Sequence, residues 1–464
     1  MNITQRTKIA QIQNTKNWLL EEKQGTLNNF LNTIDSKSLS KASKNRNRIF
    51  TPLTTIYTFI KQVLSSDKSC KNAVSGVIAE RLAEGKCTIC TNTGSYVKAR
   101  HRLSESSIYE LVKSSGALSK IKQEESWKVY GRDLKAIDGT IITLPDTPKN
   151  NEAYPKHSNK KERVGFPQIR LLGIVSLIAG TVIDYALDAN KGKGTGEISL
   201  LRRILNSINE QDIVVADRLY CNFFLIHDLR EKKVDVIVPG HVQRRSDFRK
   251  GKRLGKKDHI TVWKKPKRPE WMSQEVYKKY PNEIPIREFK SNGVIYITTF
   301  FDALLYPNNE LYLLYKRRWE VELHLNSIKT VMGMDMLSCK SPEMLRKEIG
   351  VHFLAYNIIR TIIIEACIIH SAVPWNVSFK STLQLLNQFM PRFSLLDSIK
   401  QNNLYAQMLQ LIVTNKIGKR PGRIEPRAIK HRSQSFPTLR NRQSERQKIL
   451  QKKKKKMENY DDAA

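Results

Sequence analysis

A chain of 464 residues with 80 Lys and Arg against 44 Asp and Glu carries a formal charge of +36. That length implies two or more domains, and that charge implies a self-repulsion which a bound polyanion relieves, so nucleic acid is the expected partner. A membrane role is disfavoured, because the most apolar run, residues 171–183, falls short of the ~20 residues a spanning helix needs, and the run at 351–369 is interrupted by Arg360 and Glu365.

The first residues, MNITQRTKIAQIQ, have no apolar core of the signal-peptide kind. A cytoplasmic, nucleoid-associated protein is therefore expected. Cysteines at 70, 87, 90, 221, 339 and 367 form no disulfide framework, and Cys87-Thr-Ile-Cys90 with His101 lacks a fourth zinc ligand, so free thiols are expected.

Residues 1–125 read as helical and polar. After Thr93-Gly94-Ser95, Ser104 or Glu105 opens a helix that turns Ile108, Leu111 and Val112 inward. The preceding short helix bears Lys98, Arg100 and Arg102. The pair reads either as a helix-turn-helix-like DNA contact or as a plain helical bundle with solvated charges.

From about residue 128 the period changes to that of strands. Residues 127–130 and 134–140 each read as a strand, and the second ends in Asp138 before Gly139. A carboxylate at a strand end can converge with others on a cation while the sheet holds it rigid; a surface-turn aspartate is the alternative. Asp133 would face the other way, and Asp146 sits in a Pro-rich turn.

Residues 146–166 read as a polar loop, 168–187 as a hairpin about Gly180-Thr181, and 197–208 as a helix. The buried run Ile213-Val214-Val215-Ala216 terminates in a second strand-end acid, Asp217, followed by Arg218. A helix over 223–229 and a strand over 234–238 follow. Residues 239–294 are dense in Lys and Arg and interleave Phe248, Trp263 and Trp271, a composition suited to backbone contacts and base stacking. Small-core packing is the other reading of either tryptophan. Residues 295–300 read as a return strand.

Asn308 and Asn309 precede a predicted helix over 315–329, YKRRWEVELHLNSIK. At about 100° per residue, Tyr315, Arg318, Glu322 and Lys329 share one stripe beside the apolar Leu314, Val321, Leu325 and Ile328. Arg318 and Glu322 taken alone are an ordinary i,i+4 ion pair. The spacing Tyr-x2-Arg-x3-Glu-x6-Lys, however, resembles the signature helix of DDE transposases in the fourth insertion-sequence family of bacteria. Other stretches add to this resemblance: Asn92-Thr93-Gly94 followed by Ala99-Arg100, IDGT at 137–140, ADRLY at 216–220 and KRPGRIEPRAIKHR at 419–432. Leu219, where glycine is common, and His324, where an aromatic hydrocarbon is frequent, depart from the pattern without removing an acid.

The resemblance implies an α/β protein with a ribonuclease-H-like catalytic domain at 126–238 and 295–372, interrupted by a strand-rich insertion at 239–294. A helical DNA-binding region at 1–125 and a helical C-terminal region with a basic tail at 373–464 flank it. It implies that Asp138, Asp217 and Glu322 hold two Mg²⁺ ions about 4 Å apart, with Mn²⁺ as a substitute, for in-line displacement at phosphodiesters. By the same resemblance Arg218, Arg318 and Lys329 contact DNA phosphates, Tyr315 donates a hydrogen bond to one, and Trp319 stacks on an extruded base or packs. Double-stranded DNA, both element ends and target, is the implied partner, with a homodimer formed on it through the C-terminal helices. Cutting at the ends, as in relatives that pass through a hairpin, and strand transfer are the implied reaction. A catalytically silent DNA-binding regulator and a basic packaging protein are the alternatives.

Overall fold

The computed structural model describes residues 48–121, 124–156, 165–241, 244, 246–393, 396–418 and 451. The chain divides into one unit ending at Ile417 and another beginning at Gly418, and every element below belongs to the first. The expectations for residues 1–47, for 419–432 and for the lysine run at 452–456 lie outside the described residues.

Nine strands form one mixed sheet: β1 Leu134–Thr143, β2 Gln168–Ser176, β3 Val182–Ala189, β4 Ile213–Ala216, β5 Asp235–Pro239, β6 Lys252–Gly255, β7 Asp258–Lys264, β8 Glu283–Ser291 and β9 Val294–Thr298. Their order is β3-β2-β1-β4-β5-β9-β8-β7-β6. Only β1, β4 and β5 run parallel to one another; the other pairings are antiparallel. The basic stretch after β5 thus continues the same sheet through β6 to β9.

The helices are α1 Pro52–Leu64, α2 Cys70–Ala83, α3 Gly94–Arg102, α4 Glu105–Ile121, α5 Pro148–Ala153, α6 Glu197–Ile204, α7 Phe223–Glu231, α8 Gln274–Lys279, α9 Asn308–Lys316, α10 Trp319–Asn326, α11 Pro342–Ile369, α12 Phe379–Phe393 and α13 Ser398–Thr414. Successive side chains of a strand point to opposite faces, so β1 and β4 feed two cores. Leu134, Ala136, Ile213 and Val215 pack with α1, α4, α10 and α11, whereas Ile137, Val214 and Ala216 pack with α6 and α7.

Helix α11 is long and apolar enough to cross a membrane by composition, yet 83% of its apolar window is buried inside the protein. A helix that is mostly apolar belongs in a core, and two of its polar side chains tie it to the β2–β3 hairpin. Asn357 accepts the Val182 amide at 2.8 Å and donates to the Val182 carbonyl at 2.8 Å. Arg360 donates Nε and Nη2 to the Ala179 carbonyl at 3.0 and 2.8 Å.

That pair of bonds constrains the β2–β3 turn. Gly180 has φ +70°, and a Cβ there would fall 2.2 Å from the Arg360 guanidinium. Gly180→Ala should therefore cost about 1–3 kcal/mol, from left-handed strain and displacement of a buried, bonded arginine. Urea denaturation checks this; an unchanged midpoint would remove the argument.

Several local expectations differ from the structure: the stretch 146–166, expected as a loop, contains the helix α5, and the strand read over 134–140 runs on to Thr143. Residues 127–130 are not a strand: a 3-10 turn, Glu125–Trp127, leads into a tight loop in which Tyr130 and Gly131 have φ 50° and 71°. Positive φ at two successive residues reverses the chain and rules out an extended run. Asn308 and Asn309 do not precede the signature helix but open α9, behind Pro307. Arg100 is 7% exposed, donating to the Gln62 Oε1 and Cys70 Sγ, both at 3.3 Å. It belongs to the core between α1 and α3, while of the three bases there Lys98 is exposed and Arg102 is partly buried.

Candidate active site

The site begins with a register. β1 and β4 are parallel, with Ile137 opposite Ala216. The next residue in each case is an aspartate, so Asp138 within β1 and Asp217 just past the end of β4 are neighbours on strands spaced about 4.8 Å apart. Across β2, Asp138 pairs with Gly173, whose missing side chain leaves room for Leu325 of α10; an added Cβ would be 3.9 Å from the Leu325 Cδ2. Cross-strand partners share a face, so Asp138 faces α10, which also carries Glu322.

Asp138 Oδ1 accepts its neighbour Gly139 N–H at 3.0 Å, and Asp217 Oδ1 accepts Leu219 N–H at 2.8 Å, capping the 3-10 turn Arg218–Tyr220. Burial pushes the Asp138 carboxyl up to about 6, with the Gly139 amide and Arg318 opposing the rise and Glu322 and Glu197 adding to it. A raised carboxyl pKa favours the protonated form in the folded state. Its stabilising contribution is present below the ordinary value of 3.8 and is lost as pH rises through about 6. In chelator, Asp138→Asn should therefore gain thermal stability over the parent as pH rises through that window and keep the gain above it. Equal melting curves at pH 8 would contradict the assignment.

The predicted single helix over 315–329 is wound unevenly. Between α9 and α10 the bonds tighten to i→i−3, Arg317 N to the Leu314 O at 3.1 Å and Arg318 N to the Tyr315 O at 2.9 Å. After α10 the backbone widens into a π turn, Ser327–Val331. Such single turns are frequent at functional sites. Here the widened turn carries Lys329 onto β1, where its Nζ donates to the Thr140 Oγ1 at 2.9 Å and the Ile141 carbonyl at 3.2 Å.

Arg318 Nη2 donates to Glu322 Oε1 at 2.9 Å. Burial works against the guanidinium's charge, but Glu322 and the Tyr315 hydroxyl outweigh it and hold its pKa above the ordinary value. Tyr315 is half-buried and packs on Tyr296 with ring centroids 4.9 Å apart. Burial raises its hydroxyl pKa first, with Arg318 and Asp217 among the charges it feels. Trp319 is 54% exposed, and Arg218 is exposed beside Asp217. His324 faces inward: its Nδ1 lies 2.8 Å from the Tyr356 Oη, and burial, with Arg360 and Arg317 nearby, pushes its pKa to about 3. It is a neutral, packed ring, filling an aromatic's place.

Asp138, Asp217, Tyr315, Arg318 and Glu322 are thus brought to one edge of the sheet, with Lys329 further along β1. A donor set of three carboxylates with no soft ligand suits a hard divalent cation. Among the described residues, however, no three of His, Cys, Asp or Glu are close enough to hold one ion together, and Glu322 is turned onto Arg318. One acid escaped the sequence reading. Glu197, at the start of α6, reaches the edge from the other face, under Gly139, and the sole sequence signal for it was the glycine following Asp138.

Residues 130–358, a span that includes Asp138, Asp217 and Glu322, match the family described as the transposase DDE domain. The chain belongs to the DDE transposases, enzymes that cleave DNA and transfer its strands with the help of a divalent metal. It is similar to the transposase InsG for insertion sequence element IS4 of Escherichia coli (strain K12), with 25% identity over 358 residues, 74% of this chain and 77% of the relative. Among solved structures it is similar to the piggyBac transposase synaptic complex with hairpin DNA, at 10% identity and a TM-score of 0.39, over 83% of this chain and 80% of that one.

Proposed function

We propose that this transposase recognises the terminal inverted repeats of its own element, cuts phosphodiesters at their ends and joins the freed ends to target DNA, with Asp138, Asp217 and Glu322 as its metal-holding acids. The observation that carries the reading is the parallel register of Ile137 with Ala216, which sets two aspartates side by side beneath the helix that bears Glu322. Three antiparallel strands, β3-β2-β1, followed by the parallel β4 and β5, support a ribonuclease-H-like catalytic core.

Mg²⁺ bound there, or Mn²⁺ in its place, would supply Lewis acidity to a phosphoryl oxygen and a nucleophile usable at neutral pH. The chain's own groups do the rest. Asp138 and Asp217 are held by backbone amides, so their oxygens are aimed before DNA arrives. Arg318 sits within reach of Glu322 and can pass from carboxylate to phosphate, two ligands of like charge and fork geometry. Tyr315 orients that guanidinium and offers a hydroxyl to DNA. Lys329 fixes the end of the signature helix to β1 and brings positive charge to the strand edge. The exposed ring of Trp319 is placed to stack on an unpaired base, and exposed Arg218 to meet a phosphate. Both element ends must be cut in one assembly, so a homodimer on DNA, in the cytoplasm at the nucleoid, is part of the reading.

A catalytically silent regulator is the second reading, favoured by the Arg318–Glu322 pair and by the dispersed acids. Incubation with supercoiled DNA carrying the element's inverted repeats separates the two. Cutting at the repeat ends in Mg²⁺, absent in chelator and absent with scrambled ends, is expected. End binding unchanged by metal, with no cutting in Mg²⁺ or Mn²⁺, would leave the regulator.

A further inference from the structure

We infer that Glu197 is a positioning residue that ties the strand of Asp138 to the turn of Asp217. The inference rests on the roles proposed above for those two aspartates.

Three observations meet at its carboxylate. First, Glu197 opens α6, which lies on the sheet face opposite the one that Asp138 presents to α10 and is anchored by buried Leu200, Leu201 and Ile204. Second, its carboxyl group occupies the space that Gly139 leaves empty: a Cβ built on Gly139 would be 2.4 Å from Glu197 Cδ and Oε1 and 2.8 Å from Oε2. Third, Tyr220 donates its hydroxyl to Glu197 Oε2 at 3.0 Å.

Tyr220 is 1% exposed and closes the turn that Asp217 opens, its amide donating to the Asp217 carbonyl at 3.2 Å. Burial and then the charge of Glu197 raise its pKa, so the hydroxyl stays a donor, and a buried phenol needs an acceptor. Glu197 is that acceptor. One carboxylate therefore touches the backbone immediately after the first acid and, through one hydrogen bond, fixes the turn that holds the second. A rigid link between the middle of one strand and the turn that ends its neighbour is what keeps paired acids at a constant separation.

A purely structural Glu197 would matter only to stability, and a direct cation ligand would need its charge. The positioning role needs only an acceptor oxygen, which Gln also offers. The experiment compares Glu197→Gln, Glu197→Ala, Tyr220→Phe and the Ala/Phe double variant in the full-length protein. Three readouts are taken: kcat and KM on element-end DNA, Mn²⁺ affinity of the DNA complex by electron paramagnetic resonance, and Tm.

Glu197→Ala and Tyr220→Phe should each lower kcat and Mn²⁺ affinity by about 10–100-fold, the range for losing a group that orients a metal ligand. KM for DNA should stay within about twofold, since neither group is placed on DNA. The double variant should be no worse than the worse single one, because both remove the same link. Glu197→Gln should retain activity within about threefold. Gln as damaging as Ala would show that charge is required and overturn the inference. So would a loss of Tm with kcat and Mn²⁺ affinity intact. Asp217→Asn runs alongside: if it still cuts, the assignment of the acids fails, and that outcome is separate from the failure of Glu197.

Discussion

Asp217→Asn and Glu322→Ala are each expected to lower cutting of element-end DNA by about a thousandfold or more, the several kcal/mol of charge stabilisation that a properly held cation supplies, and to leave end binding within about twofold. Asparagine keeps the oxygen that accepts the Leu219 amide at 2.8 Å, so the turn after β4 survives while the charge is lost. Ala at 322 frees Arg318 from its 2.9 Å partner, and a freed guanidinium attracts DNA as well as before or better. Cleavage and gel-shift assays on the same preparations check both halves. Cutting within about tenfold of wild type in either variant would exclude that acid from the site.

Asp258→Ala has the largest expected effect on folding. Arg287, on β8, is fully buried and makes four hydrogen bonds there: Nε and Nη2 to Asp258 at 2.9 and 2.7 Å, and Nη1 to the carbonyls of Phe300 and Tyr306 at 3.0 and 2.8 Å. Removing the aspartate strands a guanidinium in the core, which costs about 3–5 kcal/mol. Replacing both, as Asp258→Leu with Arg287→Met, should recover much of that loss, because an apolar pair leaves no charge unmatched. Urea midpoints of the three proteins decide it, and a single variant within about 1 kcal/mol of wild type would contradict it.

The placement of the proposed acids was legible for different reasons from that of their supports. Ile213-Val214-Val215-Ala216 is an unbroken apolar run ending in a charge, and a buried strand with an acid at its tip can be read from that alone. Asp138 was readable from its position before glycine, though β1 runs on to Thr143 because β2 pairs with it along its whole length. Periodicity suggested one straight helix from 315 to 329. It could not reveal the tight turn at Arg317 and Arg318 or the π turn at Ser327–Val331, since these change winding by a fraction of a residue and leave the apolar stripe intact. Arg100 was misread because a basic residue in a basic helix carries no mark of burial; its partners, Gln62 and Cys70, come from distant segments. Glu197 was invisible for the same reason, being one acid at a helix start until the fold brings it beneath Gly139.

The continuity of the nine-stranded sheet has a consequence for anyone trimming this enzyme. β9 lies between β5 and β8, bonded to Ile237, Val238 and Pro239 on one side and to Arg287 through Ser291 on the other. Excising the basic stretch with its strands would not release a cassette. It would leave β9 with a bare row of amides and carbonyls, flanked by apolar Ile295 and Ile297, and an unprotected edge of that kind recruits other chains. A minimal version should therefore be soluble only if the cut edge is given inward charges or a proline, and the native protein achieves the same end by placing Lys252 and Arg253 on β6, the outermost strand.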